Sequence, residues 1–356
     1  MRFSRFFLEM FCLSLLCAAA TGLPPAPQKL MVFENSPSAL FSVPWNGAMC
    51  FAIANEYGEY MGVFRTDGTV AGSGAVVFPG KEGNYAEVLA SDGRRAYFAV
   101  SGSATPWEGG WSLWCLDAET GASGYLGEIA WASNSTSRFA PTAIVHRGVL
   151  YFGTAAGELW VSDGTLAGTG LLKAFSGHPS PHDPSSGRVF HLPGAFIPLG
   201  DRVLFNAYDE VMGYTLWITD GTAAGTVPAA DLHVAPPTHP EFPSNILAGL
   251  IDYGWAAEGM VLLSVMQAFH SPPEDPNLSF MMPDHIKGFL VRDIGGATTL
   301  TEVEGIPLSP VERIDNDACG LFLSGENTLK AMHVDLASHQ VTTHTLSSEV
   351  SSWMGP

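Results

Sequence analysis

Three stretches of the chain are versions of one another: VFRTDGTVAGSG (63–74), LWVSDGTLAGTG (159–170) and LWITDGTAAGTV (216–227). Each reads as a strand, a tight turn and the start of a second strand. Recurrence at offsets of 96 and 57 residues implies a repeat architecture. A short hairpin cannot bury its apolar faces alone, so its copies must stack.

The repeating unit extends to four strands. In the third copy, 140–148 supplies strand A and a turn, 149–154 strand B, 158–163 strand C and 169–175 strand D. The fourth copy repeats this over AFIPLGD, RVLFNAY, TLWITD and TVPAADL, and the first over SALFSV, AMCFAI, GVFRTD and GAVVF. Weaker copies carry AYFAV with SLWCLDAETG, MVLLSV with FLVRDIGG, and GLFLSG with LKAMHVDLAS. The units run approximately over 37–80, 86–130, 140–177, 194–232, 244–304 and 308–347. Strand C ends in an aspartate in each: Asp67, Asp117, Asp163, Asp220, Asp293 and Asp335. Three residues earlier stand Phe64, Trp114, Trp160, Trp217, Leu290 and Met332, all large and apolar.

Strand C is apolar on both faces in most copies, the pattern of a sheet sandwiched between two others. Stacked four-stranded units form either an open array or a closed ring. Neither terminal copy has a polar capping face, and closure removes exposed end faces. The predicted fold is therefore all-β, a six-bladed β-propeller of four-stranded antiparallel blades filling one domain over 21–356.

The turn itself reads as structural. An aspartate closing a strand accepts hydrogen bonds from the backbone N–H groups that follow. Gly68, Gly164 and Gly221 supply the positive φ of a tight hairpin. Gly72, Gly168 and Gly225 are predicted to fit a bulge where strand D begins. A cation site would need several oxygens from one loop, and each turn offers a single carboxylate.

On these residues the chain resembles the ELWxxDGT-repeat proteins exported by bacteria. ELWVSDGTLAGT and TLWITDGTAAGT carry the motif, and VLYFGT (149–154) and RVLFNA (202–207) match the strand that precedes it. The likeness covers roughly 28–347, is strong in the first, third and fourth units and weak in the others. It implies a β-propeller-like domain in an exported protein and brings no catalytic residues. Asp293-Ile294-Gly295 and Asp335-Leu336-Ala337 depart from the motif at the turn.

The first residues follow a secretory pattern: Arg2 and Arg5, an apolar run to Ala20 interrupted by Glu9, then small residues. Residues 1–20 are read as a signal peptide cut after Ala20 for periplasmic or secreted destinations. The run is too short for a comfortable membrane span. Lipidation at Cys17 is the alternative, although Leu16 is bulky for such a site. Beyond the leader remain Cys50, Cys115 and Cys319, without metal-ligand spacing. They read as small buried hydrophobes, with one disulfide between Cys50 and Cys319 left open.

With 35 acidic against 16 basic residues, the net charge of −19 opposes nucleic acid and anionic membranes as partners. No nucleophile elbow, P-loop, dinucleotide fingerprint or zinc-protease motif occurs, and no cofactor is indicated.

In a four-stranded meander the A–B and C–D turns share one end, and the B–C and D–A connections share the other. The long segments 101–112, 175–194, 231–245 and 265–288 read as connections at that second end, where function concentrates. They hold seven of the eleven histidines: His178, His182, His191, His233, His239, His270 and His285. The candidate binding face comprises His178, His182, Asp183, His233, His239, His270, Asp275, His285, Trp107 and Trp111. The expected function is a binding scaffold for a protein or carbohydrate. Alternatives are a metal-assisted hydrolase or lyase using the loop His and Asp residues, and a structural envelope or matrix protein.

Overall fold

The computed structural model describes residues 38–54, 60–104, 109–131, 143–154, 156–175, 178–179, 189–190, 193–209, 213–230, 246–257, 259–269, 283–294, 297–303, 306–307, 312–314, 317–324, 328–335, 338 and 340–347. The chain is all-β. Among the described residues, the strands form six antiparallel sheets of four or five strands and one two-stranded ribbon.

Sheet 1 has strands A to D at Ser38–Trp45, Ala48–Ala54, Tyr60–Thr66 and Gly74–Ala75. Sheet 2 has Ala86–Ser91, Arg95–Ser101, Trp111–Asp117 and Ser123–Ile129. Sheet 3 has Ala143–His146, Val149–Gly153, Glu158–Ser162 and Thr169–Ala174. Sheet 4 has Gly194–Leu199, Arg202–Asp209, Gly213–Thr219 and Val227–Ala230. Sheet 5 has Ile246–Ala257, Met260–Phe269, Pro283–Ile294 and Ala297–Val303. In sheet 6 strand A is broken into Ile306–Pro307 and Glu312–Ile314, both paired to Asp317–Ser324, with Thr328–Asp335 and Gln340–Ser347 beyond. Every sheet is a meander with its strands in chain order.

The chain divides into two compact units, one carrying sheets 1 and 2 and the other sheets 3 to 6. Within each unit, successive sheets bury their faces against each other. In the first, Cys50 and Val63 of sheet 1 pack on Phe98, Trp114 and Leu116 of sheet 2. In the second, Tyr151 and Phe175 meet Phe205 and Trp217; Leu204 and Ile218 meet Leu263 and Phe289; Met260 and Leu262 meet Met332 and Val334. Each such Phe, Leu or Val, once buried, contributes about 1.5–3 kcal/mol. This is why no single unit of the repeat suffices.

The register shows the equivalence of the copies. Opposite the large residue of strand C lies a phenylalanine of strand B in sheets 1 to 4: Phe51 with Phe64, Phe98 with Trp114, Phe152 with Trp160, and Phe205 with Trp217. In sheets 2 and 4 this tryptophan faces the preceding sheet. In sheet 4 the buried Trp217 N–H finds no hydrogen-bond partner among the described residues, whereas in sheets 2 and 3 the indole N–H is met two residues back along the strand, by Ser112 for Trp114 (3.0 Å) and by the Glu158 carboxylate for Trp160 (2.8 Å). That bond gives the E-L-W spacing a physical reason.

Sheet 5 departs from the predicted alignment by one residue. Phe289 and Val291 face sheet 4, while Leu290 packs with Met260 and Leu262 toward sheet 6. Phe289, not Leu290, therefore occupies the tryptophan position, because a slip of one residue moves a strand residue to the opposite face. Asp293 is displaced with it. It lies inside the ladder, paired with Thr298, and Ile294 paired with Ala297 closes a two-residue turn beyond it. Asp293 is thus no turn aspartate. Its carboxylate accepts hydrogen bonds from Arg202 of sheet 4 at 2.7 and 2.9 Å.

The bulge also sits elsewhere than predicted. In sheets 2, 3 and 4 the extra residue of strand D is Leu126, Leu172 or Ala229, opposite the Leu-Trp pair of strand C. It re-aims the outer strand in mid-course instead of opening it. Two of the predicted loops are shorter as well. Strands B and C of sheet 5 continue to Phe269 and from Pro283, so only 270–282 is left between them. The segment 175–194 contains the ribbon His178–Pro179 paired with Val189–Phe190, and Phe175 is buried core. Residues 1–37, including the leader, lie outside the described residues. Cys50, Cys115 and Cys319 are free thiols. Burial pushes the first two up to about 11 and about 12, so neither is a nucleophile near neutrality.

Candidate functional site

The D-G-T turns of sheets 1 and 4 are built the same way. Asp67 Oδ1 accepts from the Thr69 backbone N–H (2.8 Å) and hydroxyl (2.7 Å), and Thr69 Oγ1 accepts from the Gly72 N–H (2.9 Å). Asp220, Thr222 and Gly225 repeat these contacts at the same distances. Gly68, Gly164 and Gly221 have φ of 87°, 85° and 89°. Paired hydroxyls flank the turn: Thr66 with Ser73, Ser162 with Thr169, Thr219 with Thr226. The second glycine is fixed by a different cause from the bulge predicted for it. A Cβ at Gly72, Gly168 or Gly225 would overlap the carboxylate of Asp67, Asp163 or Asp220. The aspartate folds onto the bare Cα, so the motif needs Asp and Gly together.

Asp117 and Asp335 hold simpler turns, accepting from the backbone N–H groups of Glu119 (2.8 Å) and Ser338 (2.9 Å). Hydrogen bonds from Thr69 and Thr222 hold the Asp67 and Asp220 carboxyls below the usual carboxylate range. A depressed folded pKa gives stability that is present above the unfolded value of about 3.9 and lost as pH falls through the folded one. Replacing Asp67 and Asp220 together by Asn is expected to flatten the acid side of the melting-temperature profile below about pH 4. Melts at pH 7 and pH 3 check this.

At the opposite end the structure describes part of the candidate face. Trp111 opens strand C of sheet 2, is 6% exposed and meets Tyr85 edge-on at 5.9 Å. It belongs to the core and offers no contact surface. Trp131 is likewise buried, its indole N–H donating to Glu87 at 2.8 Å. His178 lies in the ribbon opposite Phe190, and His285 lies within strand C of sheet 5 opposite Gln267. Trp107, His182, Asp183, His233, His239, His270 and Asp275 fall outside the described residues. Among the described residues, no three His, Cys, Asp or Glu side chains gather as metal ligands. No helix there is long and apolar enough to cross a membrane.

The sequence reading passed over a feature of the first unit. Sheets 1 and 2 border a cleft of about 300 Å³ lined by Arg65, Val76, Val77, Pro79, Leu116 and Ser123, among others. The signal was available. Arg65 follows the large residue of strand C, where sheets 2, 3 and 4 carry Cys115, Val161 and Ile218.

No family model matches the chain, and no curated protein does. Among solved structures it is similar to the tricorn protease, with 12% identity over 90% of this chain and a TM-score of 0.47; it spans only 32% of that protein's length. It is similar to the β-propeller domain of the trilobed protease from Pyrococcus furiosus, with 11% identity over 87% of this chain and 86% of that one, at a TM-score of 0.40. TolB from Acinetobacter baumannii matches at 12% identity over 87% of this chain and 63% of that one, with a TM-score of 0.33. These scores are low, and no activity passes from those proteins to this chain.

Proposed function

We propose that the chain is an exported six-bladed β-propeller acting as a non-enzymatic scaffold, which binds a protein or carbohydrate through the long-connection end of its sheets. One observation carries the reading. Every meander has short turns at one end, while the connections 102–110, 175–193, 231–245 and 270–282 all leave from the other. Stacked sheets give a rigid base, and recognition residues concentrate in loops held on such a base. The resemblance to exported ELWxxDGT-repeat proteins supports export, with cleavage after Ala20. Mass spectrometry of the mature protein is expected to find Thr21 at its start; a lipid-modified Cys17 would make it a lipoprotein instead.

The test of binding separates the two ends. Replacing 271–281 by a short Gly/Ser linker is expected to abolish capture of a partner identified by glycan array or cross-linking, with the melting temperature unchanged. Replacing Asp163 and Asp220 by Ala is expected to lower the melting temperature by a few degrees, through lost turn hydrogen bonds, and to leave binding intact. Loss of binding in the aspartate variant without a change in melting would move the functional surface to the turn end.

A further inference from the structure

We propose that the cleft between sheets 1 and 2 binds a small apolar molecule carrying one carboxylate. The cleft exists because strand D of sheet 1 stops at Ala75. After the Val76 N–H donates to Val63 O (2.8 Å) the chain leaves the sheet, and Ser123 Oγ of sheet 2 donates to Val77 O (2.5 Å). Residues 76–79 thus bridge to sheet 2 and leave a hollow of about 300 Å³, at the small end of the range for ligand sites. Its walls are largely apolar: Val76, Val77, Pro79 and Leu116.

Arg65 brings the charge. The equivalent residue is buried in sheets 2 and 4, as Cys115 and Ile218. Sheets 2 to 4 keep an apolar residue at this position, and Arg65 replaces it with a charge, a local departure of the kind found at functional sites. The guanidinium lies over the Trp45 ring, 5.4 Å from its centre, and Trp45 is buried with its indole N–H donating to Leu116 O (3.0 Å). Trp45 therefore fixes the cation from one side without using its N–H groups. Among the described residues no carboxylate or carbonyl accepts a hydrogen bond from Arg65. The carboxyl two residues on, Asp67, is engaged by Thr69. A held guanidinium with free donors takes a carboxylate through two parallel hydrogen bonds, and the valine, proline and leucine walls take its apolar body.

The test uses the full chain, hexanoate as ligand and hexanamide as its uncharged counterpart, with methyl NMR shifts and calorimetry as readouts. Hexanoate is expected to saturate with a Kd on the order of 1 mM. Hexanamide, and hexanoate against Arg65→Gln, are each expected to bind at least about tenfold more weakly. Arg65→Lys keeps the charge without the fork and is expected to fall between. Val77→Trp, at a position 57% exposed, fills the hollow while leaving Arg65 in place. It is expected to abolish binding, which separates loss of the site from misfolding in the Arg65 variants. Equal binding of acid and amide, unchanged binding in Arg65→Gln or Val77→Trp, or no saturation by hexanoate would each overturn the site.

Discussion

Gly153→Ala is expected to lower the melting temperature of the protein by about 5–10 °C, an effect of roughly 3 kcal/mol at the upper end of overpacking costs. Gly153 ends strand B of sheet 3, one residue after Phe152. The same position holds Ala52, Ala99 and Asn206 in sheets 1, 2 and 4, so the strand itself does not exclude a side chain. The neighbour does. The chain returning toward sheet 4 lays the Pro193 carbonyl against the Gly153 Cα, and an alanine Cβ would overlap that oxygen. A backbone carbonyl cannot swing aside as a lysine tip can, so the start of sheet 4 must shift, and Ala195 and Phe196 in its core shift with it. The reverse exchange is the control: Ala99→Gly should cost only about 1.5 kcal/mol, from backbone entropy and one lost methyl. Melts of the two variants within 1–2 °C of each other would place the returning chain elsewhere.

The contrast between those positions shows what the sequence could and could not reveal. The repeat was legible because three units write the same turn: D-G-T fixes a strand end, a positive φ and the next strand's start within seven residues. Strand order followed, since hairpins that short admit only a meander. The tertiary reason for the second glycine was not legible. A bulge and a carboxylate packed on Cα both call for a residue without a side chain, and the letters are the same.

The slip in sheet 5 was hidden for a related reason. Phe289, Leu290 and Val291 are all apolar, so either frame fits a sheet buried on both faces, and periodicity carries no information there. Only the two-residue turn after Ile294, too short for the D-G-T arrangement, pointed to the correct frame. Candidate site residues suffered more. Trp111 was read as a loop aromatic because it lies in the segment 101–112, whereas Gly109 and Gly110 let the hairpin close on Gly102 and return the chain to the core. Arg65 was visible as an odd letter in a repeat. Its significance rests on Trp45, twenty residues away, and on the early end of strand D.

Asp293→Ala is expected to destabilise the second unit by about 2 kcal/mol, because it strips the partner from a largely enclosed cation. Arg202 and Asp293 are 20% and 15% exposed at their side chains and lie on adjacent sheets, and Arg202 also donates to Thr298 Oγ1 at 3.3 Å. Water cannot readily replace the lost carboxylate there. The pair Arg94–Glu119 makes the comparison: at 2.6 Å it is as close, but its side chains are 53% and 71% exposed. Its removal should cost no more than about 0.5 kcal/mol, since solvent screens it and its ordering is unfavourable. A double-mutant cycle with Arg202→Met and Asp293→Ala isolates the interaction from the two deletions. The double variant should be more stable than the sum of the single losses implies, because no buried charge is then left unpaired. Coupling indistinguishable from zero would mean that the Arg202–Asp293 pair adds nothing to the apolar contacts of Leu204, Ile218, Leu263 and Phe289 between sheets 4 and 5.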